Sequence, residues 1–391
     1  MSHRRLYEIH EHRMLLRQIG LIGSFVFHGS TAKRVCAGFP SSSAALQHQV
    51  PFRSVLHQRT RTSLGARSRH RVGTASVAMS STPAAGEQTK VVLGMRELCD
   101  RYDGFILDQF GVLHDGKDAL PGAVECLEEL RSKGKRLVIL SNTSKRESFT
   151  MARLPKFGFR QELFDGGVTS GEEGYQHLVR TGLVGGKAVL LGWNGEDSDG
   201  FLAALSLKYS SPQEATFLLC HGPDNIVVDD TGAARTDTRN TGQVEPYEAV
   251  FKAAIDRDLP MYNVNPDITV NNPQGGLWHM PGLLAKRYEA MGGRVTYFGK
   301  PHKEHYETAV AKMGLDRSTV VHVGDSLAHD IVGASSAGID SVFIAGGICG
   351  EELGVDAKAD PSTFNLSPEA LESIFTRESV TPTWTMPLFA L

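Results

Sequence analysis

Four short segments of this 391-residue chain hold side chains suited to handling a phosphoryl group. Asp108 closes the run Phe105–Asp108 and is followed by Gln109, Phe110 and Gly111. Ser141 and Asn142 close the run Leu137–Asn142, and Lys300 follows Tyr297, Phe298 and Gly299. Asp325 and Asp330 lie in the stretch Val321–Asp330, just after Gly324. Carboxylates bind a hard divalent cation. A lysine and a hydroxyl neutralise and position phosphate oxygens. One carboxylate can attack phosphorus and form an acyl phosphate. Singly, each residue is common as a cap, a turn or a solvated charge; the order Asp, Ser, Lys, Asp–Asp carries the signal.

The elements that position these groups follow from local pattern. Gly104–Asp108 and Lys135–Ser141 are apolar runs expected as buried strands, and an unbroken apolar run suits a sheet covered on both faces. Further strands are expected at Gly167–Ser170, Thr296–Gly299, Thr319–Val323 and Ser341–Ala345. Helices are expected over Leu120–Lys133, Arg146–Phe157, Glu304–Met313 and Ala328–Ala337, with another starting at Glu172. Strands alternating with helices indicate an α/β fold built on a doubly wound parallel sheet. Each candidate is then expected at the carboxyl end of a strand, the edge where open parallel sheets bind ligands.

Between Ser141 and Lys300 lies a long insertion with its own strand–helix rhythm. Strands are expected at Ala188–Gly192, Thr216–Cys220 and Met261–Val264, a helix at Tyr247–Arg257, and a loop or hairpin over Asp224–Gly242. The expected division is residues 1–86 as a leader, 87–183 as the first part of the core, 184–290 as an inserted domain, and 291–391 as the second part of the core with a tail.

The net charge of −3 conceals a split. Residues 1–86 carry twelve Lys/Arg and only Glu8 and Glu11 as acids, which leaves 29 of the 41 basic and 42 of the 44 acidic residues to the remainder. An acidic body argues against nucleic acid as a partner, and no apolar run of 18 residues marks a membrane span. The basic, Ser-rich leader has the composition of an organellar transit peptide, chloroplast before mitochondrion, and Met79 offers a second start for a cytosolic form. Of the five cysteines, none forms a C-x-x-C pair, and Cys99, Cys126, Cys220 and Cys349 read as small buried hydrophobes.

The four segments resemble the four motifs of the haloacid dehalogenase superfamily. The gap between Ser141 and Lys300 is similar to that of class IIA members, which carry a C2-type cap there. Asn265–Asp267 resembles a class IIA signature near the end of the cap. The resemblance implies Asp108 as nucleophile, and Asp108, the Phe110 carbonyl and Asp325 as Mg²⁺ ligands. It implies Ser141, Asn142 and Lys300 around the phosphate, with Asp330 and Asp267 in support. Mg²⁺ is the implied cofactor, a small phosphorylated metabolite the implied ligand, and a homodimer through the cap an expected assembly.

One position departs from the pattern. Family phosphatases carry a second Asp two residues after the nucleophile, where this chain has Phe110. A phenyl ring neither gives nor takes a proton, and a lost general acid costs about 10²–10⁴ in rate. His114, Asp115 and His302 are the substitutes to examine. An aromatic residue there also occurs in the family's dehalogenases, but those lack the element kept here as Gly324, Asp325 and Asp330. The expected activity is therefore phosphomonoester hydrolysis, with a catalytically weak phosphate-binding or regulatory protein as the alternative. Substrate choice is expected to lie in the cap loops Trp193–Asp199 and Asn271–His279, with Trp193 and Trp278 as packing residues.

Overall fold

The computed structural model describes residues 89–195, 197–272, 275–359 and 364–391; the expected leader and Met79 lie outside them. Sixteen strands occur in these residues. Four precede the insertion: β1 (Lys90–Val91), β2 (Gly104–Leu107), β3 (Arg136–Ser141) and β4 (Gly166–Thr169). The inserted strands are β5 (Lys187–Gly192), β6 (Lys208–Tyr209), β7 (Phe217–Cys220), β8 (Asn225–Val227), β9 (Ala233–Arg235), β10 (Pro260–Asn263), β11 (Thr269–Asn271), β12 (Leu277–His279) and β13 (Arg294–Tyr297). The last three are β14 (Val320–Gly324), β15 (Asp340–Ile344) and β16 (Trp384–Met386).

The core sheet has the order β1-β16-β15-β14-β2-β3-β4 with every pairing parallel. Alternate residues of its central strands enter two separate apolar clusters. Phe105, Leu107, Leu137, Ile139, Val321 and Val323 pack on one face. Ile106, Val138, Leu140 and Val320 pack on the other. A sheet covered twice needs no polar alternation, so these strands read as continuous apolar runs. Each fully buried Leu or Ile contributes about 1.5–3 kcal/mol. The fold is α/β, a doubly wound parallel core with an inserted cap.

The cap sheet has the order β13-β10-β7-β5-β8-β9, with β6 on β5 and a separate β11–β12 ribbon. It too is covered twice: Val189, Leu191, Leu218 and Met261 face one cluster, and Ala188, Leu190, Phe217 and Leu219 the other. Both expected cap boundaries shift. β13 pairs with β10 in the cap sheet, so the chain returns to the core only after Tyr297, not at residue 291. On the way in, the helix Ser170–Arg180 already places Leu178 in the cap's apolar cluster.

Other elements differ from expectation for local reasons. The helix expected from Leu120 starts at Ala123, because Gly122 takes φ 81°. The helix Glu147–Arg153 gives way to a 3₁₀ turn at Leu154–Phe157, where Pro155 removes a donor. The helix expected over Ala328–Ala337 is a π turn, Leu327–Ile331, followed by Val332–Ser336. Cys99, Cys126 and Cys220 are buried free thiols, whereas Cys349 is half-buried.

Candidate active site

β2 lies between β14 and β3, and its four residues are buried. Beyond its end the Asp108 N–H donates to the Val323 carbonyl at 3.0 Å, and the chain then turns. The Gln109 carbonyl accepts from the N–H groups of Val112, Leu113 and His114. Gly111 takes φ 81°, and a Cβ there would stand 2.0 Å from Asp325 Oδ2. A glycine is thus required for the turn to pass this close to the second carboxylate. Asp325 itself follows β14, and its Oδ2 accepts from the Ile348 N–H at 2.8 Å.

Lys300 is the cation of the site. Its Nζ lies 2.7 Å from Asp108 Oδ1 and 2.8 Å from Asp330 Oδ1. Asp330 is fully engaged: Oδ1 also meets His322 Nε2 at 2.8 Å, and Oδ2 accepts from the Ser326 N–H at 3.0 Å. It orients both the lysine and the loop. Burial alone would lower the Lys300 pKa, but Asp108 and Asp330 outweigh it and hold the ammonium charged. Burial alone would raise Asp330, yet Lys300 and His322 hold it well below the usual carboxylate range.

Lys300 does not follow a core strand, as expected, but the cap strand β13. Asn142 fixes it instead. The Lys300 N–H donates to Asn142 Oδ1 at 2.7 Å, and Asn142 Nδ2 donates to the Lys300 carbonyl at 3.0 Å and to Asp267 Oδ1 at 2.8 Å. The Asn142 side chain, expected at the phosphate, is spent on holding the lysine and Asp267. Ser141 lines the cavity at the end of β3.

Core and cap together enclose a cavity of about 720 Å³. Asp108, Phe110, Ser141, Asn142, Asp267, Lys300, Asp325 and Asp330 all line it. His302 does not; it is exposed and stacks on Tyr297 with centroids 5.7 Å apart. His114 and Asp115 do line it, but near neutral pH His114 is a neutral imidazole and Asp115 a carboxylate, neither a ready general acid. Burial lowers the His114 pKa to about 4, and its Nδ1 accepts from the Gly116 N–H at 3.1 Å. Burial would raise Asp115, but the N–H groups of Asp118 and Lys117 and the Lys358 ammonium lower it to about 2. Trp193 and Trp278 are absent from the lining: the Arg239 guanidinium lies over the Trp278 ring at 3.9 Å from its centroid and 5.7 Å from that of Trp193. Of the two cap loops, Asn271 lines the cavity.

Sequence reading missed several wall residues. Lys145, Phe149, Arg153 and Phe157 reach the cavity from the segment after β3, and Ile348 from the loop after β15. His329 also lines it, with Nδ1 3.3 Å from Ser326 Oγ and 3.7 Å from Asp267 Oδ1. An amphipathic pattern does not reveal which exposed side chains border a cleft.

The residues present suit a divalent cation. Oxygens of Asp108, Asp325 and Asp330 lie within 4.8 Å of one another, and Lys300 is their neighbouring ammonium. Three carboxylates against one ammonium leave two negative charges. Burial, with the Asp330 charge adding to it, raises Asp108 to about 7 even against Lys300. Burial and the charges of Asp108 and Asp330 push Asp325 well above its ordinary value. Such strain in an all-oxygen set is what a hard cation relieves. Since Asp330 is committed elsewhere, Asp108 and Asp325 are the carboxylates available to hold it.

Comparison with known proteins agrees with this geometry. A haloacid dehalogenase-like hydrolase family model matches residues 105–200, and a second HAD-hydrolase-like model matches residues 297–366. The chain is 27% identical over 282 residues to a 4-nitrophenylphosphatase of Schizosaccharomyces pombe, covering 69% of this chain and 93% of the relative. It is 27% identical over 269 residues to bovine (Bos taurus) chronophin, covering 65% and 84%. A crystal structure of a haloacid dehalogenase-like hydrolase from Brucella suis shares the fold, with a TM-score of 0.58 and 24% identity over 76% of this chain and 99% of that one. The chain belongs to the haloacid dehalogenase superfamily. Its cap lies between the second and third motifs, the class IIA arrangement.

Proposed function

We propose that this protein is a Mg²⁺-dependent phosphohydrolase that cleaves a small phosphorylated metabolite through an aspartyl-phosphate intermediate. The observation that carries this reading is Asp108 set against Lys300 Nζ at 2.7 Å, in one cavity with Ser141 and Asp325. The relatives named 4-nitrophenylphosphatase, chronophin and D-glycerol 3-phosphate phosphatase support phosphomonoester hydrolysis.

Asp108 attacks phosphorus; its P–O bond forms as the bond to the leaving oxygen breaks. Lys300 and Ser141 hold the oxygens of the transferred group. Water then attacks the acyl phosphate, releasing inorganic phosphate and restoring the carboxylate. Asp108, Asp325 and the Phe110 carbonyl would hold the cation, which would supply the positive charge that lets a phosphate dianion approach a carboxylate. The test is hydrolysis of 4-nitrophenyl phosphate by purified protein with Mg²⁺. Asp108→Asn should abolish it, and turnover surviving in that variant would remove Asp108 as nucleophile.

Phe110 favours a second reading. With no carboxylate at that position, His114 an uncharged imidazole and Asp115 ionised, the same site would bind phosphate ligands and turn them over slowly. Phosphate binding without measurable hydrolysis in the wild type selects it.

Delivery to an organelle, the chloroplast first, belongs to the same proposal, as do a cytosolic form from Met79 and a homodimer through the cap. A fluorescent fusion of residues 1–86 tests the address, and light scattering tests the dimer. We also propose that neither nucleic acid nor membrane is a partner. Among the described residues no helix is long and apolar enough to cross a membrane.

A further inference from the structure

Beside Asp108 the cavity carries a wall that phosphoryl transfer does not use. The Phe110 ring meets the His114 ring edge-on, with centroids 6.3 Å apart. His114 stacks on Phe157 at 4.0 Å and 19°. The Arg153 guanidinium lies 5.8 Å from the centroids of both Phe157 and Phe149, and Lys145 Nζ lies 5.6 Å from Phe149. All six residues line the same cavity. Phe110 is 38% exposed, a large apolar group left open two residues from the nucleophile.

The cations of this cavity differ in their commitments. Lys300 is held by two carboxylates, and Lys145 by Asp199 at 3.1 Å. Arg153 is exposed, and among the described residues no carboxylate pairs with it. A guanidinium lying beside phenyl rings, with no carboxylate partner, keeps its in-plane donors free for a carboxylate or phosphate.

We propose that this wall is the leaving-group subsite and that it selects aryl phosphates bearing a second anionic group. The inference rests on the phosphohydrolase reading above. A planar ring gains stacking area against Phe110 and Phe157. An aryl oxygen also suits a site without an acid at residue 110. The P–O bond breaks, the electron pair stays on the phenolate, and the phenolate takes its proton from solvent. The anionic substituent at the far side of the ring pairs with Arg153.

The test separates the subsite from turnover. Non-hydrolysable benzylphosphonate and its 4-carboxy derivative, together with a two-ring carboxylate that extends the reach, are titrated calorimetrically into the Mg²⁺-loaded full chain. In parallel, 4-nitrophenyl phosphate hydrolysis is measured. The better-fitting carboxylate should bind about tenfold more tightly than plain benzylphosphonate. Arg153→Ala should reduce that preference to about one, and Arg153→Glu should reverse it. Equal affinities in the wild type, no binding of any phosphonate, or a preference that survives Arg153→Ala each overturn the subsite. An Arg153-dependent preference without hydrolysis of 4-nitrophenyl phosphate would keep the subsite and overturn the enzymatic reading.

Discussion

Asn142 grips Lys300 by its backbone at both polar atoms, accepting from its N–H at 2.7 Å and donating to its carbonyl at 3.0 Å. The last residue of the second motif thereby sets the position of the ammonium that the third motif supplies. Asn142→Ala leaves the Lys300 N–H and carbonyl buried without partners and should cost about 2–3 kcal/mol. Misplacing the ammonium should lower kcat/KM by about 100-fold. Urea denaturation and kinetics on one preparation check both; a variant that is destabilised but fully active would show that the clasp serves folding alone.

Phe110→Asp supplies the missing proton donor. Phe110 is partly exposed and packs mainly on His114 and Gly116, so the fold should tolerate the change. Hydrolysis of an alkyl ester such as glycerol phosphate, whose alkoxide needs a proton, should rise about 100-fold. Hydrolysis of 4-nitrophenyl phosphate should change much less. Equal gains on both substrates would show that protonation is not what Phe110 removes.

The carboxylate pair predicts a linkage between pH and cation binding. Without a metal, folded Asp108 keeps its proton up to about pH 7, against an ordinary value of 3.8. The folded chain therefore binds more protons than the unfolded chain between these values, and stability falls as pH rises through about 7. Mg²⁺ should restore it by neutralising the ionised pair. The rise in Tm on adding Mg²⁺, relative to EDTA, should be larger at pH 8 than at pH 5. An equal rise at both would place the cation elsewhere.

His221, deep in the cap, gives the opposite dependence. Both ring nitrogens are buried with no hydrogen-bond partner among the described residues, and its ring lies 4.8 Å from that of Phe201. Burial, reinforced by the Lys145 charge, lowers its pKa from 6.5 to about 4, against the pull of Asp199 and Asp197. Here the unfolded chain binds the extra proton, so stability is complete above about pH 6.5 and is lost as pH falls toward 4. The loss is about 3 kcal/mol at the acid end. His221→Phe should remove most of it, and urea midpoints at pH 4.5 and 7.5 measure the difference. Parallel pH dependence in the two proteins would refute the assignment.

What could be read from the chain follows from how local each signal is. Asp108, Ser141 and Asp325 were visible because a buried strand ending in a polar group is a contiguous pattern. Lys300 was visible by its place in that order, but its scaffold was not, since pairing of β13 with β10 depends on residues more than thirty positions apart. β1 and β16, two and three residues long, are too short to show a period, yet they complete one edge of the core sheet. Phe149, Arg153 and Phe157 were hidden because a helix face bordering a cleft has the same composition as one facing solvent.

Lys300 stands three residues beyond the last cap strand. Asn142 and Asp330, which follow core strands, nevertheless pin it to the core sheet. The charged group facing Asp108 is thus also the mooring at which the inserted domain is tied back to the edge of the central sheet.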